Sequence, residues 1–103
     1  MQYIYVYLME NNMYLYVIEA NNNGQILYKI GITNDLDKRI KNIRTGNPYP
    51  VQYVFNQEIE QASKIERWLH IQFNKYRMEG EWFHTITLND IRKKIFIYNE
   101  FDV

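Results

Sequence analysis

The chain contains no cysteine. That excludes a disulfide framework and a thiolate metal site, and it fits a reducing, cytoplasmic setting. No run approaches the roughly 18 apolar residues of a membrane span, so no membrane partner is expected. The first residues have no basic stretch leading into an apolar core, so they do not read as a signal peptide. Nor is there an excess of charge of one sign, since twelve Lys and Arg balance twelve Asp and Glu. A strongly basic chain would point to nucleic acid by composition alone; here such binding has to come from local patches. No linker or low-complexity stretch interrupts the 103 residues, of which 47% are hydrophobic. The expectation is one domain over 1–103, large enough for a single core and not for two.

What is present is strongly patterned. Tyr3, Tyr5 and Tyr7 alternate with Ile4, Val6 and Leu8, and a second alternating run covers 13–19 after the turn residues Glu10-Asn11-Asn12. These two runs read as a hairpin. Asn21-Asn22-Asn23-Gly24 marks the next turn, and a third strand is predicted over 26–32. On that strand Ile26, Tyr28, Ile30 and Ile32 share one face, with Lys29, Gly31 and Thr33 on the other. If Tyr16 pairs across from Lys29, both side chains share a face; a one-residue slip would separate them.

A helix is predicted over about 35–45, capped by Asn34 or Asp35 and carrying the apolar stripe Leu36, Ile40 and Ile43. Gly46, Pro48 and Pro50 end it. A strand over 51–57 follows, then the longest element, a helix over 59–78. Ile59, Ala62, Ile65, Leu69, Phe73 and Tyr76 form its stripe. Trp82 and Phe83 read as core or lid residues. A closing helix over 90–98 turns Ile91 and Ile95 inward. The fold class is therefore α+β: a central, mainly antiparallel sheet of three to four strands flanked by about three helices.

Two places carry chemistry. Around Gly31, a glycine without a side chain lies near Lys29 and Arg39, an arrangement that suits a phosphate. Charge is concentrated there: residues 29–44 hold Lys29, Lys38, Arg39, Lys41 and Arg44 against Asp35 and Asp37. Arg92, Lys93 and Lys94 form a second cluster. On the long helix, Glu66 falls inside the apolar stripe. A carboxylate there is costly unless paired or bound to a cation, and His70 lies one turn on.

Lys29-Ile30-Gly31, Arg39, Gly46-Asn47-Pro48, Glu66 with Leu69-His70, and Gly80-Glu81-Trp82-Phe83 together resemble the GIY-YIG nuclease superfamily, in its phage-type T5orf172 or Mug113-like branch with a K-I-G second motif. The resemblance covers about residues 13–86, leaving 1–12 as an additional strand and 87–103 as the closing helix. It implies a small GIY-YIG-like domain that cuts DNA phosphodiesters with one divalent ion, Mg²⁺ or Mn²⁺, held by Glu66. It further implies that Arg39 steadies the phosphate and that Tyr16 or Lys29 activates water, with His70 alongside. Lys38, Lys41 and Arg44 would contact the DNA backbone. Tyr7 is an alternative first-motif tyrosine, at a long sequence distance from Lys29.

The chain departs from the pattern in two respects. Ile43 stands where many relatives place a histidine, and the C-terminal asparagine of many members has no clear match, although Glu81 and His84 lie nearby. The expected function is a metal-dependent DNA endonuclease that works inside the cell, with a phage-encoded origin among the expectations. The alternatives are a weak or inactive nucleic-acid-binding module and a phage-encoded inhibitor or accessory factor. A protein partner that supplies targeting belongs to the same set of expectations.

Overall fold

The computed structural model describes residues 13–101. The strand expected at 3–9, with its hairpin and with Tyr7, lies outside the described residues. The elements run β1 (Tyr14–Asn22), β2 (Gln25–Thr33), α1 (Leu36–Thr45), β3 (Val51–Glu58), α2 (Ala62–Gln72), a 3-10 turn (Asn74–Tyr76), β4 (Trp82–Phe83) and α3 (Leu88–Phe101). The strands form one antiparallel sheet in the order β3-β1-β2-β4. The α+β class is as the patterning predicts.

β1 is central and buried on both faces. Leu15, Tyr16, Val17 and Ile18 are all fully buried. Its alternation separates two cores. Leu15 and Val17 join Tyr28 and Ile30 of β2 beneath α2 and α3, whose Ile65, Leu69, Ile91, Ile95 and Tyr98 fill that side. Tyr16, Ile18 and Ala20 join Leu27 on the opposite face, under Ile40 of α1 and against Val51. The sheet thus lies between one helix and a pair of helices.

The β1–β2 hairpin closes through the two residues Asn23 and Gly24, with φ of 52° and 94°. Both residues take positive φ, as the type I′ turn favoured by strand twist requires. The register it sets differs from the one expected: Tyr16 opposes Gly31, and Ile18 opposes Lys29. The displacement is two residues, so parity is kept and Tyr16 and Lys29 still share a face, as diagonal neighbours. On the other side of β1 the register shifts between Val17 and Ile18, with Val54 as the extra residue of a bulge. The bulge sends Val54 and Phe55 to the α2–α3 core and Tyr53 to the α1 core.

The long helix expected over 59–78 is shorter. Gln61 adopts a left-handed conformation with φ of 58°, which blocks an earlier start. Ile59 extends the strand layer by donating to the Met13 carbonyl at 3.0 Å. At the far end Phe73 caps α2, and the 3-10 turn carries Tyr76. Trp82 and Phe83, expected as core or lid, form the short edge strand. Phe83 is fully buried, while Trp82 packs half-buried on the α1 face. α3 is longer than expected and opens on a capping box. Thr87 N donates to Asp90 Oδ2 at 2.9 Å, and Asp90 N donates to Thr87 Oγ1 at 3.1 Å.

The hairpin turn is testable without disturbing any packing, because a Cβ at Gly24 meets nothing within 4 Å. Gly24→Ala is expected to cost about 1 kcal/mol through its positive φ alone, seen as a fall of roughly 4–8 °C in Tm. Gly46→Ala is the control, since Gly46 ends α1 with an ordinary φ of −93°; its Tm should change little.

Candidate functional site

The site forms where β2 runs past the end of its short partner. Along β2, β4 pairs with Tyr28 and Lys29 alone. Beyond it, the backbone groups of Ile30 find other partners. Ile30 N donates to the Glu81 carbonyl at 3.3 Å. His70 Nε2 lies 2.8 Å from the Ile30 carbonyl oxygen and donates to it. In the singly protonated ring the proton is thereby on Nε2 and the lone pair on Nδ1.

On the α1 face, the Tyr16 hydroxyl accepts a hydrogen bond from Arg39 Nε at 3.0 Å. This brings the strand tyrosine and the helix arginine together. α1 presents Arg39 there because the Asp35 carboxylate caps its first turn, accepting from Lys38 N at 3.0 Å. Gly31 makes the room. A Cβ on it would fall on the Tyr16 hydroxyl, 2.6 Å from Cζ of the same ring and 3.1 Å from Glu81 Oε2. Tyr53 packs edge-on against Tyr16, centroids 5.7 Å apart, and donates its own hydroxyl to the Leu36 carbonyl at 2.7 Å. Burial pushes the Tyr53 phenol up to about 12. Burial also raises Tyr16, outweighing the Arg39 guanidinium, which acts in the opposite direction. Both phenols are neutral at physiological pH.

Around the edge of β2, Lys29 Nζ lies 3.5 Å from Glu81 Oε2 and 5.4 Å from the Trp82 ring centre. Glu81 in turn faces Glu66 and His70 of α2. Ligand atoms of these three side chains lie within 4.8 Å of one another. Glu66 is half-buried, and its carboxyl is pushed up, first by burial and then by the charge of Glu81; His70 and Lys29 pull it back only in part. The cleft in front of them has a volume of about 560 Å³ and is also lined by Ser63, Arg67, Asn74 and Arg77.

Of the residues expected from sequence, Tyr16, Lys29, Arg39, Glu66 and His70 therefore gather around Gly31. Lys38, Lys41 and Arg44 lie exposed on the outer side of α1, apart from this gathering. Glu81 is the member that sequence reasoning left without a role. It immediately precedes the two-residue β4, and its place beside Glu66 and His70 comes from the pairing of β4 with β2. Arg67 and Arg77 were missed too, because nothing in helical periodicity shows that they border a cleft.

The donor set suits a divalent cation. Two carboxylates crowd each other, Lys29 pairs with one of them, and an imidazole that offers a ring nitrogen stands beside them. Tyr16 and Arg39 stand at Gly31 beside this group.

Two outcomes check this geometry. Glu66 has a higher pKa folded than unfolded, so folding favours its protonated form. The cost of its charge is absent below the unfolded carboxylate value and grows as pH rises through the folded one. Glu66→Gln should therefore be at least as stable as wild type near pH 7–8, with the difference closing as pH falls. A glutamine variant that melts lower at pH 8 would make Glu66 a structural ion-pair partner. Gly31→Ala should displace Tyr16 from Arg39 and lower Tm, and Tyr16→Phe in the same background should restore part of the loss.

No helix among the described residues is long and apolar enough to cross a membrane. No curated protein and no solved structure matches the chain significantly. The family model described as the T5orf172 domain matches residues 13–98, which takes in every element from β1 to most of α3 and all the residues gathered around Gly31. This domain is associated with the GIY-YIG, nuclease-like superfamily, and on that match the chain belongs to the T5orf172 domain family.

Proposed function

We propose that the protein is a divalent-metal-dependent endonuclease that hydrolyses DNA phosphodiester bonds. One observation carries the reading: in a T5orf172-family chain, a forked cation at a buried tyrosine and a carboxylate–imidazole group meet across a single bare glycine. Hydrolysis of a phosphodiester gathers negative charge on the nonbridging oxygens. Arg39 uses Nε to hold Tyr16, and its terminal nitrogens remain to meet two of those oxygens. Glu66, His70 and Glu81 would hold the ion, Mg²⁺ or Mn²⁺. Bound there, it supplies Lewis acidity to the phosphate and the leaving oxygen.

Tyr16 and Lys29 share the face on which a water would attack, and we assign its orientation to this pair; the member that takes the proton does so from its deprotonated form, as the Tyr16 phenolate or the neutral Lys29 amine. Burial keeps Tyr16 a neutral phenol at rest, and Lys29 is paired with Glu81. Lys38, Lys41 and Arg44 supply backbone contacts outside the cleft, which suits a neutral chain that binds through a local patch.

A binding module without turnover is the second reading. It is favoured by the Lys29–Glu81 pair, which keeps both partners occupied.

Nicking of supercoiled plasmid with Mg²⁺ or Mn²⁺, against an EDTA control, tests the proposal. Arg39→Lys keeps a donor for the Tyr16 hydroxyl while losing the planar fork. It is expected to melt close to wild type and cut ~10²–10³ more slowly. Lys29→Met should abolish cutting; a still-active variant with an unchanged pH profile would move the proton-accepting role to Tyr16. Duplex binding should weaken with salt at a log–log slope of roughly −3 to −4.5, for about three to five phosphate contacts. DNA binding that persists without any metal-dependent nicking would favour the binding module.

A further inference from the structure

The candidate centre offers more than a single glutamate. Glu66 and His70 are one turn apart on α2, and Glu81 arrives from the segment before β4, with ligand atoms of all three within 4.8 Å. Two features set the imidazole apart from an ordinary surface histidine. Its Nε2–H is tied to the Ile30 carbonyl at 2.8 Å, a backbone acceptor left over where β4 ends. Its ring also packs edge-on against buried Phe83, centroids 5.1 Å apart. A histidine held this way has its ring orientation and tautomer set before any ion arrives, as metal-ligating histidines usually do through their second nitrogen.

We infer that this centre binds its ion through one nitrogen and two carboxylate ligands, Glu66, His70 and Glu81, and so takes Mn²⁺ in preference to Mg²⁺. The inference rests on the nuclease reading above and specifies its cofactor. Mg²⁺ is a hard ion that favours oxygen ligands and retains its waters. Imidazole suits the later first-row ions, and affinity at mixed nitrogen and oxygen sites rises along that row. A centre of carboxylates alone would discriminate little between the two. A fixed imidazole adds a ligand that Mn²⁺ accepts and Mg²⁺ accepts poorly. Glu81 would exchange its pairing with Lys29 for the ion, and the bare Gly31 leaves its Oε2 free to move.

Isothermal titration of the whole chain with MnCl₂ and with MgCl₂ reads the preference, and electron spin-echo spectroscopy of the Mn²⁺-loaded protein reads the nitrogen. Wild type should bind Mn²⁺ about ten-fold or more tightly than Mg²⁺, with ¹⁴N modulation from a coordinated imidazole. His70→Gln, which keeps a donor for the Ile30 carbonyl, should lose the modulation and bring the two ions within about three-fold of each other. Glu81→Gln should weaken both ions and keep the modulation. Mn²⁺ bound to wild type without ¹⁴N modulation overturns the inference, whether or not His70→Gln folds. If in that case Glu66→Gln still abolishes ion binding, the nuclease reading stands on a carboxylate centre. Failure of wild type to bind either ion removes both.

Discussion

A buried tyrosine hydroxyl has to find a partner, and in this fold it finds one only because Gly31 has no side chain. Tyr16 sits on the central strand with no exposed surface. Its hydroxyl would be a costly orphan without Arg39. The hydroxyl that the guanidinium reaches occupies the position that a Cβ of residue 31 would fill. That single requirement ties three elements together. β1 supplies the tyrosine, β2 the glycine opposite it, and α1 the arginine, docked by Ile40 in the same core. The same bare position gives Glu81 its room, so the cationic and the acidic halves of the site share one constraint.

The second determinant is the length of β4. A two-residue strand covers Tyr28 and Lys29 and then stops. Had it continued, the Ile30 carbonyl would be satisfied by a ladder bond and the edge of β2 would be closed. Instead, the carbonyl anchors His70, and α2 comes close enough to the edge to bring Glu66 beside Glu81. The cleft is therefore a consequence of an interrupted sheet. Its cost is visible in Glu66, a carboxyl held half-buried with its charge disfavoured. Functional sites commonly carry such local conflicts. An ion there would relieve this one.

Most of the architecture was legible along the chain. Alternation on β1 and β2 marked both faces correctly, because a strand has period two whatever its partner. The caps and stripes located α1 and the inward face of α3, since both are local properties. Glu66 was conspicuous as a carboxylate in an apolar row, and Tyr16, Lys29, Arg39 and His70 were legible through their resemblance to a family pattern. The extent of α2 was not. The left-handed turn at Gln61 and the 3-10 turn after Phe73 arise where Ile59 and Tyr76 are drawn into other packing, and periodicity continues through both.

By itself, then, the sequence determined the class of fold, the residue types able to handle a phosphate and an ion, and the faces on which they lie. Only the tertiary structure decided which of them meet. The register of β1 on β2 depends on a two-residue turn and placed Tyr16 against Gly31 rather than against Lys29. The bulge at Val54 brought Tyr53 to the Tyr16 ring. Glu81 became a partner of Glu66, His70 and Lys29 across long sequence separations. Pairing of this kind is set by the packing of whole elements against one another, and no local pattern along the chain encodes it.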